Sequence, residues 1–452
     1  MSPTTDLARL GAVPRRTFLR AAGIGGLVLT SGGALAACGG GVQTGAQTTG
    51  PSGGTTTLRI GFISPKTGPA AGFGEADDFV LGKVREALQS GLSAGGKTYQ
   101  IEIITKDSQA NPQQAASVAN ELISGSNVNL MLASSTPESV NPVSDACEAA
   151  GVPCISTVVP WQAWCFGRGA KADDKAAFRY TYHFSFGVEN FAHTYETQWN
   201  LIPTNKTVGV LWPNDADGNA IRASLGPLLQ KAGFTIVDPG AYENGTNDFS
   251  SQIGQFKAAN CEIFNSFALP PDFATFWQQA SQQGYVPQIA QIAKTGLFPS
   301  QVEALGDLGP GLSTAVIWHR SYPYKSSLTG LSSEDMAAQY ESSTGRQWPQ
   351  NLGATFGLFD AAAAALRAAS DPTDKAALAK AISTLKVETP VGNLDWTKGP
   401  VSNVVTTALP GAQWVRAAGG KFPLDVVITE NTDDPNVPIA AKLLPLPEVQ
   451  GK

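Results

Sequence analysis

Five neighbouring residues carry the strongest chemical suggestion in this chain: Ser134-Ser135-Thr136-Pro137-Glu138. The run ahead of them, Val128 to Leu132, is apolar and strand-like, and Pro137 suits the first position of a helix, where a missing N–H costs nothing. Thr136 is therefore the expected N-cap. Free N–H groups at a helix start, beside hydroxyls, suit a small anion such as a carboxylate; the plainer reading is ordinary capping. Ser156-Thr157 closes the next strand-like run and brings two more hydroxyls to the same edge. Phe73 lies in the loop that follows the first strand-like run, so it belongs to that edge too. Further along, Pro213-Asn214-Asp215-Ala216-Asp217 and Phe267 to Asp272 occupy equivalent loops. Asp215 and Asp272 are the candidates to receive a cationic group, against the commoner reading of exposed turn carboxylates. Trp161 heads an aromatic stretch with Trp164, Phe166, Tyr180 and Tyr182, and Trp318 follows the strand-like Thr314–Ile317. Either could face a cleft or pack a core.

Catalytic constellations are absent from the sequence. There is no Gly-x-Ser-x-Gly, no His-Glu-x-x-His and no phosphate-cradling Walker loop. The 3 histidines, His183, His193 and His319, stand apart, and no Cys-x-x-Cys pair is present to suggest zinc or redox exchange. The expected activity is binding without turnover, with no cofactor and no metal.

The elements that must position these residues alternate. Leu58–Ile63, Tyr99–Thr105, Val128–Leu132 and Val152–Ser156 read as strands. Between them, Gly74–Gln89, Pro112–Ser124 and Glu138–Ala150 read as helices; in the second of these Ala115, Val118, Ala119, Leu122 and Ile123 share one face. The alternation resumes with strands at Lys206–Trp212 and Phe234–Val237. A helix carrying Ile221, Leu225, Leu228, Leu229 and Ala232 lies between them, and Asp248 caps another that runs through Lys257. Such a pattern predicts parallel sheets covered by helices, and its two successive runs predict two similar lobes. Ligands of open α/β sheets sit beyond the carboxyl ends of the strands, where the loops above lie. Two Ala-rich helices, at Ser332–Ser343 and Leu352–Ala369, and strand-like runs near Val391–Trp396 and Val404–Leu409 follow.

The N-terminus reads as an address and not as fold. Arg15-Arg16-Thr17-Phe18-Leu19 precedes a short Gly-rich apolar segment that ends Leu35-Ala36-Ala37-Cys38. This resembles a twin-arginine export signal closed by a lipobox, which implies a lipid on Cys38. Gly39 to Thr57 then forms a polar tether. An exported body permits disulfides, and a local bridge among Cys147, Cys154 and Cys165 is expected, with Cys261 the fourth cysteine. The 452 residues carry a net charge of −6 with 42% hydrophobic and 15% charged residues, so neither a disordered chain nor a nucleic-acid partner is expected.

Several stretches resemble the leucine/isoleucine/valine-type periplasmic substrate-binding proteins of ABC transporters. These are Arg59-Ile-Gly-Phe-Ile-Ser-Pro-Lys-Thr-Gly-Pro-Ala-Ala-Gly-Phe-Gly74, Ala149-Ala-Gly-Val-Pro-Cys-Ile-Ser156, Gly245-Thr-Asn-Asp-Phe-Ser-Ser-Gln252 and Thr389-Pro-Val-Gly-Asn-Leu-Asp395. Their order along residues 58 to 445 makes the likeness specific. The resemblance implies a type I periplasmic binding fold: two Rossmann-like α/β lobes with a hinge, and a small ligand trapped between them. It implies that Ser134, Ser135, Thr136, Ser156 and Thr157 hold a ligand carboxylate, that Phe73 packs on the ligand, and that Asp272 meets an ammonium. The Pro-Pro context of Asp272 departs from the family pattern, so an amide or aromatic-acid ligand stands beside an amino acid. The resemblance further implies a monomer serving ABC permease subunits, exported and lipid-anchored at the outer face of the cytoplasmic membrane or periplasmic. A sensor of the same fold is the alternative. The expected division is a leader over 1–37, a tether over 38–57, a first lobe of 58–184 plus 296–400 and a second of 185–295 plus 401–452.

Overall fold

The structure, a computed structural model, describes residues 56–171, 174 and 177–451. The expected leader, Cys38 and nearly all of the tether lie outside the described residues.

Two seven-stranded sheets organise the chain. The first holds β1 (Thr57–Ser64), β2 (Leu92–Ala94), β3 (Lys97–Asp107), β4 (Leu130–Ser134), β5 (Cys154–Thr157) and β6 (Thr181–Ser185), joined late in the chain by β14 (Val404–Thr406). Its order is β2-β3-β1-β4-β5-β6-β14, parallel except for the short β2–β3 hairpin. The second holds β7 (Thr207–Leu211), β8 (Thr235–Val237), β9 (Ile263–Ser266), β10 (Ile289–Ile292) and β11 (Ser313–Ala315), with β15 (Gly411–Arg416) and β16 (Leu424–Glu430). Its order is β8-β7-β9-β10-β11-β15-β16, and only β15 runs against the others, pairing antiparallel with both β11 and β16. A hairpin of β12 (Lys386–Thr389) and β13 (Gly392–Asp395) stands apart. The central strands β4, β5 and β9 are buried at every residue, which explains their lack of polar alternation.

Helices α1 (Asp77–Ala87), α2 (Pro112–Asn120), α3 (Pro137–Ala150) and α4 (Trp161–Cys165) follow the strands of the first lobe. In the second lobe these places belong to α5 (Val188–Trp199), α6 (Ala216–Lys231), α7 (Ser250–Ala258), α8 (Pro270–Gln282) and α9 (Pro299–Glu303). After them come α10 (Ser333–Thr344), α11 (Asn351–Ala368) and α12 (Lys375–Ser383). Helix α11 is buried along nearly its whole length, and its small residues let it lie against α1 and the first sheet. Asp248 accepts from the Ser250 N–H, but the N-cap position falls on Phe249 and α7 begins one residue later than the sequence suggests.

The sheets divide the chain differently from the expected boundaries at 296 and 401. Ser313 pairs with Gln291, so the second lobe runs on through β11. Val404 pairs with His183, so the first lobe runs on through β14. The chain therefore crosses between the sheets after Ser185, after Ala315 and after Thr406. Parallel partners far apart in sequence leave no local mark of which sheet they join, which is why these passages are not legible from composition.

The aromatic insert is mostly packing. The Arg168 guanidinium lies 3.9 Å from the Phe178 ring centre and 4.8 Å from that of Trp164, and its Nε donates to Asp145 at 2.7 Å. His183 stacks on Trp164; burial pushes its imidazole down to about 3, so it stays neutral. The expected local disulfide is absent: Cys147, Cys154, Cys165 and Cys261 are buried free thiols.

Candidate ligand-binding cleft

Strand β1 lies between β3 and β4, and β7 lies between β8 and β9, so each sheet reverses its strand order at that point. The loops beyond the carboxyl ends at these reversals face one another and enclose two connected chambers. The inner one, of about 40 Å³, has walls of Phe73, Val158, Pro160 and Phe186 from the first lobe and the first crossing. Phe191, Phe267, Leu297 and Ile317 close it from the other side. The polar side chains among its lining residues are those of Thr136, Asp217 and Lys294. The outer chamber, of about 400 Å³, shares Thr136 and Lys294 and adds Glu138, Asp215, Asn244 and Asp272. That volume is in the range of small-molecule sites.

Local structure explains how these side chains arrive. Pro137 starts α3, and Thr136 precedes it with φ of 66°, a region β-branched residues avoid. Val158, on the neighbouring loop, has φ of 59°. Both line the inner chamber, and such strain persists where surrounding packing enforces it. Thr136 occupies the N-cap position as expected, yet its hydroxyl caps nothing: Oγ1 is buried without a partner. Asp215 caps α6, accepting from the Gly218 N–H at 2.7 Å. A Cβ on Gly218 would stand 2.2 Å from the Pro213 carbonyl oxygen, so only glycine permits that turn.

An ionic cluster centres on Lys294, which lines both chambers. Lys294, two residues beyond β10, is 6% exposed; its Nζ lies 3.0 Å from Asp217 and 3.5 Å from Asp215. Burial opposes its charge, but Asp217, Asp215 and Glu138 outweigh that and hold the ammonium above the ordinary lysine range. Burial pushes the Asp217 carboxyl up against the pull of Lys294, and its Oδ1 has no hydrogen-bond partner. Glu138 and Asp272 are likewise pushed up by burial. Asp215 moves down despite burial, because Lys294 and the Gly218 N–H favour its charge.

Of the residues expected to bind, Phe73, Thr136, Asp215 and Asp272 line the chambers. Phe73 sits edge-on to Phe298, ring centres 4.9 Å apart. The other hydroxyls are differently placed. Ser134 and Ser135 bond each other at 2.6 Å, and the Ser156 hydroxyl sits 2.8 Å from His183 Nδ1. Thr157 pairs within the sheet, opposite Ser134 and Phe184, and is not among the chamber walls. Trp161 lies just outside: its Nε1 donates to Glu189 at 2.7 Å, bracing the first crossing at Gly187. Trp318 is core. Its ring is fully buried edge-on to Trp348, and its Nε1 donates to Ser333.

Reading by loops passed over Lys294, Phe186 and Phe191, and it named the loops holding Glu138, Asp217 and Phe267 without giving those three residues a role. Lys294 had a legible signal, a lone cation just past the apolar run Ile289–Ile292. The phenylalanines had none, since an apolar residue reads the same in a core and in a cleft. Among the described residues no cluster has the makings of a metal site, and no helix is long and apolar enough to cross a membrane.

Residues 57–421 match the periplasmic binding protein family, and the chain belongs to it. It is 23% identical over 259 residues to the leucine-, isoleucine-, valine-, threonine- and alanine-binding protein of Pseudomonas aeruginosa. That match covers 57% of this chain and 65% of the relative. A leucine-binding protein of Thermotoga maritima superposes with a TM-score of 0.66 at 16% identity, covering 83% of this chain and 99% of that one. A solute-binding protein of an ABC transporter from Rhodopseudomonas palustris, in complex with 3,4-dihydroxybenzoic acid, superposes at 0.64 with 19% identity, covering 83% and 98%. The fold is that of the type I periplasmic binding proteins, two α/β lobes with a cleft between them.

Proposed function

We propose that this protein is the extracytoplasmic solute-binding component of an ABC importer, held at the membrane by a lipid on Cys38. It binds a small solute with an apolar body between its lobes and releases it unchanged. One observation carries this reading. A chamber walled by phenylalanines from both lobes meets two buried, unpartnered polar atoms, Thr136 Oγ1 and Asp217 Oδ1. An unpaired buried polar group costs about 1–3 kcal/mol, and a solute that pairs it recovers that cost. Because the solute touches both lobes, it favours the closed form over the open one and so drives closure. The solute-binding assignment also fits relatives named for leucine binding and a structural neighbour that holds a dihydroxybenzoate.

A thermal-shift screen against amino acids, amides, amines and aromatic acids tests the binding role. A solute at a thousand times its dissociation constant adds ~4 kcal/mol and raises the melting temperature visibly. No shift with any compound would set the solute-binding reading aside. For the anchor, Cys38→Ala should move the protein from the membrane pellet to the supernatant after export. Continued sedimentation with membranes would refute lipidation at that residue.

A further inference from the structure

The polar end of the cleft is built unlike a carboxylate site. The start of helix α3 offers few N–H groups to an anion. Pro137 has none, and the N–H groups of Ser139 and Val140 donate to the Thr136 carbonyl. The hydroxyls of Ser134, Ser135 and Ser156 are engaged with protein partners. Across the two chambers, four carboxylates, Glu138, Asp215, Asp217 and Asp272, face one ammonium, Lys294. Lys294 is committed to Asp215 and Asp217, and Asp215 is further engaged by α6. Negative charge is therefore in excess, and a second carboxylate brought by a solute would add to it.

Acceptors are what remain. Asp217 is 5% exposed with Oδ1 unpartnered, and Thr136, also 5% exposed, has Oγ1 unpartnered; both face the inner chamber. Glu138 of the first lobe and Asp272 of the second line the outer chamber, and among the described residues Asp272 has only the Gly245 N–H as a donor. The cluster has no metal-holding geometry.

We propose that the solute carries a cationic nitrogen and no carboxylate, with its head among Glu138, Asp217 and Asp272 and its apolar body in the phenylalanine chamber. The inference rests on the solute-binding reading and specifies its substrate class as an apolar amine. The head group is also the element of closure. Carboxylates from both lobes converge on one positive charge, and their mutual repulsion opposes the closed form until that charge arrives.

Matched pairs test this by titration calorimetry on the protein: phenethylamine against phenylpropionate, and isoamylamine against leucine. Each pair shares its apolar body and differs in the charged end. The expected result is heat of binding with both amines and none with phenylpropionate or leucine. Glu138→Gln, Asp217→Asn and Asp272→Asn should each weaken amine binding by about tenfold to a hundredfold, the usual worth of a hydrogen bond to a charged group. Binding of either carboxylate as tightly as its amine partner overturns the inference and leaves the solute-binding reading intact. So does a non-amine hit in the wider screen with no amine binding. Unchanged amine affinity in all three variants overturns it as well, by showing that the amine sits elsewhere. Should a variant fail to fold, the matched pairs on the natural sequence decide alone.

Discussion

Lys294→Met is the most informative single change to stability. Methionine keeps a flexible apolar stem of similar reach and removes only the ammonium. Asp217 and Asp215 then lose the cation at 3.0 and 3.5 Å, with side chains only 7% and 11% exposed. Removing one partner of a buried ion pair costs roughly 3–5 kcal/mol, because the remaining charge stays desolvated. All three residues belong to the second lobe, so the cost does not depend on whether the lobes are open or closed. For a body of about 400 residues the unfolding entropy is roughly 0.8 kcal/mol per degree, which converts the loss to a fall of roughly 4–6 °C in melting temperature. The loss must also depend on pH. In the variant the Asp217 carboxyl has lost the pull of Lys294, so its folded pKa rises further above the unfolded value. A raised carboxyl pKa means the folded state holds protons that the unfolded state has released, so stability grows as pH falls. The gap between natural protein and variant should be full at pH 8 and shrink on acidification towards pH 5. Thermal melts of both proteins across that interval provide the assay. Equal melting temperatures at pH 8, or a deficit that does not change with pH, would refute the argument; the latter would point to lost packing instead of an uncompensated charge.

Other expectations follow the same logic. Thr136→Val should raise the stability of the solute-free protein by about 1–3 kcal/mol, since it removes a buried hydroxyl that bonds no protein group, while weakening the best solute from the screen; calorimetry and melting read the two effects separately. Burial pushes the Asp77 carboxyl from 3.8 up to about 7, partly opposed by its bond from Ser64. The native state is thus favoured below pH 4 and loses that advantage as pH rises to 7. Asp77→Asn should gain on the natural protein over that interval by up to about 4 kcal/mol, seen as diverging melting curves. Gly353→Ala would bring a Cβ 2.1 Å from Trp318 Cγ, so a loss of about 1–3 kcal/mol is expected in denaturant unfolding; an unchanged midpoint would contradict the packing described.

Much of this protein is decided locally and is therefore legible in the sequence. The apolar runs that became β1, β4, β5 and β7 cannot remain in water, and their alternation with amphipathic helices admits little but parallel sheets in two lobes. Pro137 and Asp215 mark helix starts through backbone chemistry that acts over three or four residues, and their loops do lie at the cleft. What needed the tertiary structure is every property set by distant partners. Ser134, Ser135, Thr136 and Ser156 are alike as residue types; only the arrival of His183 from β6 and the turn of the loop leave Thr136 unpartnered while the others are engaged. Trp318 reads as a cleft aromatic until Gly353, on α11, lets it sink into the core. The sign of the cleft is the clearest case. Lys294, Asp217 and Glu138 come from separate stretches and two lobes. Their desolvation and mutual charge exist only once the sheets bring them together, because electrostatic energy depends on distance and burial, neither of which the order of residues records.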